Sequence, residues 1–95
     1  MRPYRDLKIG SLIQEELSKI IAKEVEFDNA LVTIVRVEIS PDLLQAKISL
    51  GIIPVEKEIP VFEQLEKRRR ELEYRLLKKM NIRPMPHLKF VIEQH

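Results

Sequence analysis

An α+β fold, with a three-stranded sheet covered on one face by helices, is predicted by three observations. Two stretches repeat their apolar residues every three to four positions, three shorter stretches alternate them, and prolines or Ser/Asp/Asn clusters punctuate the boundaries. The implied order is helix, strand, strand, helix, strand. A sheet with one helix-covered face is the simplest architecture that buries all those apolar stripes at once.

The first helix is expected over residues 4–25, where Ile9, Ile13, Leu17, Ile20 and Ile21 recur at helical spacing and Leu12 widens the stripe. Pro3 suits its start, and Gly10 carries a mild interior penalty of about 1 kcal/mol relative to Ala. Residues 26–30, with Asp28 and Asn29, read as a loop. Residues 31–40 form the first strand, in which Thr33, Val35, Val37 and Ile39 alternate with Ile34, Arg36 and Glu38. Ser40, Pro41 and Asp42 supply a turn. The second strand follows antiparallel, with Leu44, Ala46, Ile48, Leu50 and Ile52 opposing Gln45, Lys47, Ser49 and Gly51.

Pro54 ends that strand, residues 55–59 are a loop, and Pro60 opens a helix over residues 61–81 marked by Phe62, Leu65, Leu72, Leu76 and Met80. The position that should continue the stripe between Leu65 and Leu72 is Arg69. A charge on a buried face is costly unless it snorkels or the helix bends, so an irregularity or an edge position is expected near residues 68–70. Glu63 with Lys67, Glu66 with Arg70 and Glu71 with Arg75 stand four apart as favourable pairs. Pro84 and Pro86 close the helix, and Leu88, Phe90 and Ile92 alternate with Lys89, Val91 and Glu93 as a third strand.

The 95 residues suit one domain, 1–95, with a thin core built from Ile, Leu and Val, because aromatics are 5% and Trp is absent. Cysteine is absent, which removes disulfides and thiolate chemistry and leaves a cytoplasmic protein as the default. The N-terminus does not read as an export signal, since Glu15 and Glu16 fall where an apolar run is needed. No apolar run approaches the roughly 20 residues that span a bilayer.

Charge is more telling in its distribution than in its sum. The net charge is +2, yet residues 67–83 hold eight basic residues against two acidic ones. Lys67, Arg68, Arg69, Arg70, Arg75, Lys78, Lys79 and Arg83 therefore form a candidate polyanion-binding segment, and on a helix Arg68, Arg75 and Lys79 share a face with Lys78 beside them. A solvated helix face laced with Glu pairs is the plainer alternative. Arg2, Arg5 and Lys8 form a second, N-terminal basic cluster.

Catalysis finds no support. Ser11, Ser18, Ser40 and Ser49 lack a His and Asp constellation, Glu15 and Glu16 point around a helix rather than across a cleft, and no P-loop is present. His87, His95 and Glu93 are too scattered for a metal site, so neither metal nor cofactor is expected. The GXXG grip on single-stranded RNA is missing, the glycines being Gly10 and Gly51 alone. Tyr4, Tyr74, Phe27, Phe62 and Phe90 do not form an RNP-type pattern, and Phe62 and Phe90 are better placed as core. Backbone and shape readout by Arg and Lys is thus expected to lead over base stacking.

Three segments together resemble the ribosome-binding factor A family of bacterial small-subunit maturation factors. They are Lys8, Ile9, Ile13, Glu16 and Leu17 in the first helix; Val32, Thr33, Val37, Ser40, Asp42, Leu43, Ala46 and Ile48 in the hairpin; and Arg83, Pro86, Leu88 and Phe90 near the end. The resemblance implies a type II KH-like fold, binding to the 30S subunit and its 16S rRNA, and help with late rRNA processing, ribosome biogenesis and cold adaptation, without catalysis. A monomer free of membrane is expected. Where relatives carry an Ala-x-Gly kink this chain has Arg68, Arg69 and Arg70, and it stops at His95 where relatives often have a tail. The alternatives are a protein-interaction adaptor that uses the hairpin face or the edge of the second strand, and a generic KH-like RNA-binding module.

Overall fold

A computed structural model describes residues 3–25, 27, 29–82 and 85–93, and within them the side chains of all but residues 3–7 and 24. The first helix, α1, is Pro3–Glu24. Its stripe of Ile13, Leu17 and Ile21 is buried as expected, with Ile9 and Ile20 packed against the core, whereas Leu12 lies on the flank and stays exposed.

Gly10 has a role that periodicity does not reveal. A Cβ built there would stand 3.1 Å from the Val37 carbonyl oxygen, so α1 crosses the sheet at a distance that only a glycine permits without a shift. Gln14 makes a second tie in the same region, donating from Nε2 to the Ile34 carbonyl at 2.9 Å.

Strands β1, Leu31–Ile39, and β2, Gln45–Ile53, form the expected antiparallel hairpin. Its turn is held by its own side chains. Ser40 Oγ donates to Asp42 Oδ1 at 2.6 Å, the Leu44 N–H donates to the same oxygen at 3.0 Å, and the Gln45 N–H donates to Ser40 Oγ at 3.0 Å. The Ser40 hydroxyl, followed by the Leu44 amide, holds the Asp42 carboxyl below the usual aspartate range. The regular alternation expected in β1 is interrupted. Ile34 pairs with Leu50 and Arg36 with Ser49, which leaves Val35 as the extra residue of a bulge. Side chains change face across it: Ile34 is buried before the bulge, Val37 and Ile39 are half-buried after it, and Thr33 and Val35 are exposed.

Strand β3, His87–Ile92, runs parallel to β2, with Ala46 beside Leu88 and Ile48 beside Phe90. The sheet order is β1-β2-β3. Both sides of β2 are therefore paired, and the idea that its edge could dock a partner is overturned; the free edges belong to β1 and β3.

A parallel neighbour requires a crossover, and two helices supply it. The loop expected over residues 55–59 is instead a single 3-10 turn, Val55–Lys57, running directly into α2, Glu58–Lys67, with Pro60 in its first turn. The irregularity expected near residue 68 is present. Arg68, at φ −100° and ψ 10°, separates α2 from α3, Arg69–Met80, and its N–H is shared between the carbonyls of Gln64 and Leu65. The break spares the apolar stripe a buried arginine: Val61 and Leu65 of α2 and Leu72 and Leu76 of α3 are buried, while Phe62 and Met80 pack at the margin. It also turns α2 toward β2 and β3, and α3 toward α1 and β3. Asn81, at φ 54°, closes α3 in the left-handed conformation.

All three helices thus cover one face of a three-stranded mixed sheet, the KH-like type II arrangement expected. The core is one cluster, with Ala46, Ile48, Leu50 and Ile52 of β2 at its centre. In an open helix, Gly to Ala gains about 1 kcal/mol. Gly10→Ala should forfeit that gain against the Val37 carbonyl, so thermal unfolding is expected to show a Tm equal to or below that of the parent; a clear rise would contradict the close crossing.

Candidate nucleic-acid interface

The basic residues singled out from sequence separate into distinct places. Arg75, Lys78 and Lys79 of α3 come together along one wall of a groove whose other wall is α1, which contributes Glu16, Lys19, Ile20, Ala22 and Lys23. The groove is about 690 Å³. Lys19 and Lys23 escape a reading by segment, because residues 1–30 carry no excess of positive charge. Their four-residue spacing puts them on one side of α1, but only the packing of α1 on α3 shows what they face.

Glu16 is the acidic member of this lining. Its Oε2 lies 3.8 Å from Lys19, which also reaches Glu15 at 3.6 Å, while its Oε1 is buried without a hydrogen-bond partner among the described residues. Five cationic side chains line the groove against one carboxylate, and even with Lys19 paired to Glu15 and Glu16 and Arg75 to Glu71 an excess of positive charge remains.

The arginines at the helix break behave differently from one another. Arg68 and Arg75 do lie together, as expected, but they converge on Glu71: Arg68 donates at 2.7 and 3.0 Å, and Arg75 at 3.2 Å. The hydrogen bond from Arg68, aided by that from Arg75, holds the Glu71 carboxyl below the usual glutamate range. All three groups are partly exposed, so the cluster organises charge more than it adds stability. Arg69 turns the other way, half-buried over β3, and pairs with Glu66 at 3.5 Å and Glu73 at 3.6 Å. It leaves the strip. The expected Glu71–Arg75 pair forms, whereas Glu66 takes Arg69 three residues on instead of Arg70 four on, because the break at Arg68 changes the local phase.

Among the described residues, Lys67, Arg70 and Lys79 make no ion pair, and all three are exposed. Lys8 is exposed as well. It stands eleven residues before Lys19, three helical turns or about 16 Å along α1, on the same side of the helix. The Arg5 side chain, Arg2 and Arg83 lie outside the described residues, as does His95. No group of three His, Cys, Asp or Glu side chains that could hold a metal occurs among the described residues. No described helix is long and apolar enough to cross a membrane.

Glu73 ties two elements together. It is 15% exposed, accepts the Leu88 N–H at 2.8 Å, and lies 3.6 Å from both Arg69 and His87. It therefore fastens α3 to the start of β3 on that strand's outer edge. Nothing in its spacing on α3 indicates this, since the partner is fifteen residues away and belongs to the backbone. Glu73→Ala should cost roughly 1–3 kcal/mol by leaving that amide unpaired. Urea unfolding checks it, and an unchanged midpoint would contradict the tie.

The α-β-β-α-α-β order, the mixed sheet and the cationic α1/α3 groove define a KH-like α+β protein with one strongly positive helical face. The match to known proteins narrows this further. A family model described as ribosome-binding factor A matches residues 5–95, and the chain belongs to that family. A relative of that name from Coxiella burnetii is 32% identical over 92 residues, covering 95% of this chain and 76% of the relative. Another from Akkermansia muciniphila is 26% identical over 86 residues, covering 90% and 69% respectively. In structure, the chain is similar to a homology model of the Thermus thermophilus ribosome binding factor A fitted into a cryo-electron microscopy map of its complex with the 30S subunit. The TM-score is 0.77 at 18% identity, over 90% of this chain and 92% of that one, which is a likeness of fold.

Proposed function

We propose that this protein binds the 30S ribosomal subunit through folded 16S rRNA and assists its late maturation, including rRNA processing and adaptation to cold, without catalysing a reaction. It acts as a monomer in the cytoplasm, and residues 1–95 serve as a single ribosome-binding domain. Family membership supports association with the ribosome. The observation that carries the RNA contact is the convergence of Lys19 and Lys23 with Arg75, Lys78 and Lys79 in one groove.

Cations gathered from two helices match a phosphate backbone better than a linear basic run, because two walls can face two sides of one strand or the rim of a helical groove. Lysine suits this task as a mobile point charge, and Arg75 is held in place by Glu71. Lys67 and Arg70, exposed at the α2–α3 junction, extend the strip, and Lys8 extends it along α1. Arg68 acts through Glu71, and Arg69 is assigned to holding β3 rather than to RNA.

The opposite face of the sheet offers a polyanion much less. There Arg36 donates to Glu93 at 3.0 Å and Lys47 reaches Glu38 at 3.7 Å, so cations and carboxylates largely cancel.

Affinity for 16S rRNA fragments is therefore expected to fall steeply with salt, each phosphate contact contributing a slope of about 0.7 to 0.9 in a double-logarithmic plot. Replacing Lys19, Lys23, Lys78 and Lys79 together by Gln should flatten that slope by about two or more and weaken binding at every salt concentration, as read by filter binding. A slope and affinity unchanged by the fourfold substitution would instead favour a protein-interaction adaptor.

A further inference from the structure

The aromatic residues of this chain are few, and the structure treats them unequally. Phe90 is buried, and Phe27 and Phe62 pack against the core. Tyr74 is 60% exposed in the middle of α3. The ring is not part of the buried core, and the Lys78 ammonium lies 5.5 Å from its centroid.

Its neighbours give the ring a context. Arg70, Tyr74 and Lys78 follow one another at intervals of four along α3, so they form a continuous outward line about 12 Å long. Arg70 and Lys78 are exposed, and neither makes an ion pair among the described residues. Glu71, one of the acidic side chains beside this line, would repel an approaching strand. It is already neutralised by Arg68 and Arg75. The line also adjoins the groove, since Lys78 belongs to both.

A ring flanked on both sides by cations is the arrangement that takes an unpaired nucleobase: the base lies on the π face, and its flanking phosphates meet the charges. We propose that Tyr74 is a stacking platform for a single unpaired base of the RNA bound at the cationic face, with Arg70 and Lys78 holding the adjacent phosphates. The assignment rests on the RNA-binding reading above and deepens it, adding to backbone contact a preference for RNA with a bulged or looped-out base. Lys78 occupies one side of the ring, which leaves the other face for the base or frees the ammonium for a phosphate as the base arrives.

The test uses the full chain and two RNA hairpins with the same stem, one fully paired and one carrying a single bulged 2-aminopurine. The parent protein should bind the bulged hairpin more tightly and quench its fluorescence, and Tyr74→Phe should retain both effects. Tyr74→Ala, a substitution at an exposed helical site that favours the helix, should bind the bulged hairpin about tenfold more weakly, lose the quenching and leave the paired hairpin unaffected. Lys78→Gln with Lys79→Gln should weaken both RNAs. Full affinity and quenching in Tyr74→Ala, or no preference for the bulge in the parent, would overturn the stacking role while leaving the RNA-binding reading intact. Failure of the parent protein to bind either hairpin would overturn both.

Discussion

The arrangement depends on one-sided burial. Strand β2 sits between two partners and presents Ala46, Ile48, Leu50 and Ile52 on a single face, so every helix must pack there. A sheet this narrow forces the helices to lie side by side. Adjacent α1 and α3 bury their apolar stripes in the same cluster, and their polar flanks are then pressed into a common groove. The positive face is thus a by-product of core packing: Lys19 and Lys79 are sixty residues apart in the chain and meet because Leu17 and Leu76 are both buried.

The break at Arg68 decides which cations join that face. A continuous helix through residues 58–80 would carry Arg68 and Arg69 toward the core between Leu65 and Leu72. Interrupting it lets both leucines stay buried and sends the two arginines to opposite sides, Arg68 to Glu71 and Arg69 to Glu66 and Glu73. The run of four cations at residues 67–70 is therefore divided by placement and partner. Lys67 and Arg70 remain exposed, Arg68 orders its neighbour Arg75 through a shared carboxylate, and Arg69 stabilises the seat of β3.

Much of this was legible in the residues, and the exceptions share a physical origin. Periodicity located α1, the hairpin and β3, and the charge of Arg69 on an apolar stripe marked residues 68–70 as the place of an irregularity or an edge position, of which the structure shows the break, because each depends on local pattern and burial. The bulge at Val35 was invisible, since β-branched residues alternate through it without a fault. Gly10 looked like a small cost within a helix until the Val37 carbonyl appeared beside it. The same holds for the central place of β2, for the Glu73 tie to a backbone amide, and for Lys19 and Lys23. Each is a relation between segments that share no sequence neighbourhood. The helical start at Glu58 was missed for a different reason: Pro54 and Pro60 mark boundaries, and the stretch between them folds as a turn and a first helical turn instead of a loop.

The two faces of the molecule make the central claim directly testable, because each carries lysines. On the helical side are Lys19, Lys23, Lys78 and Lys79; on the sheet's outer side are Lys47 and Lys89. Acetylation of the protein in its complex with 30S subunits, read by mass spectrometry, should find the first four protected and the last two as reactive as in the free protein. Protection of Lys47 and Lys89 with the groove lysines still reactive would contradict the account.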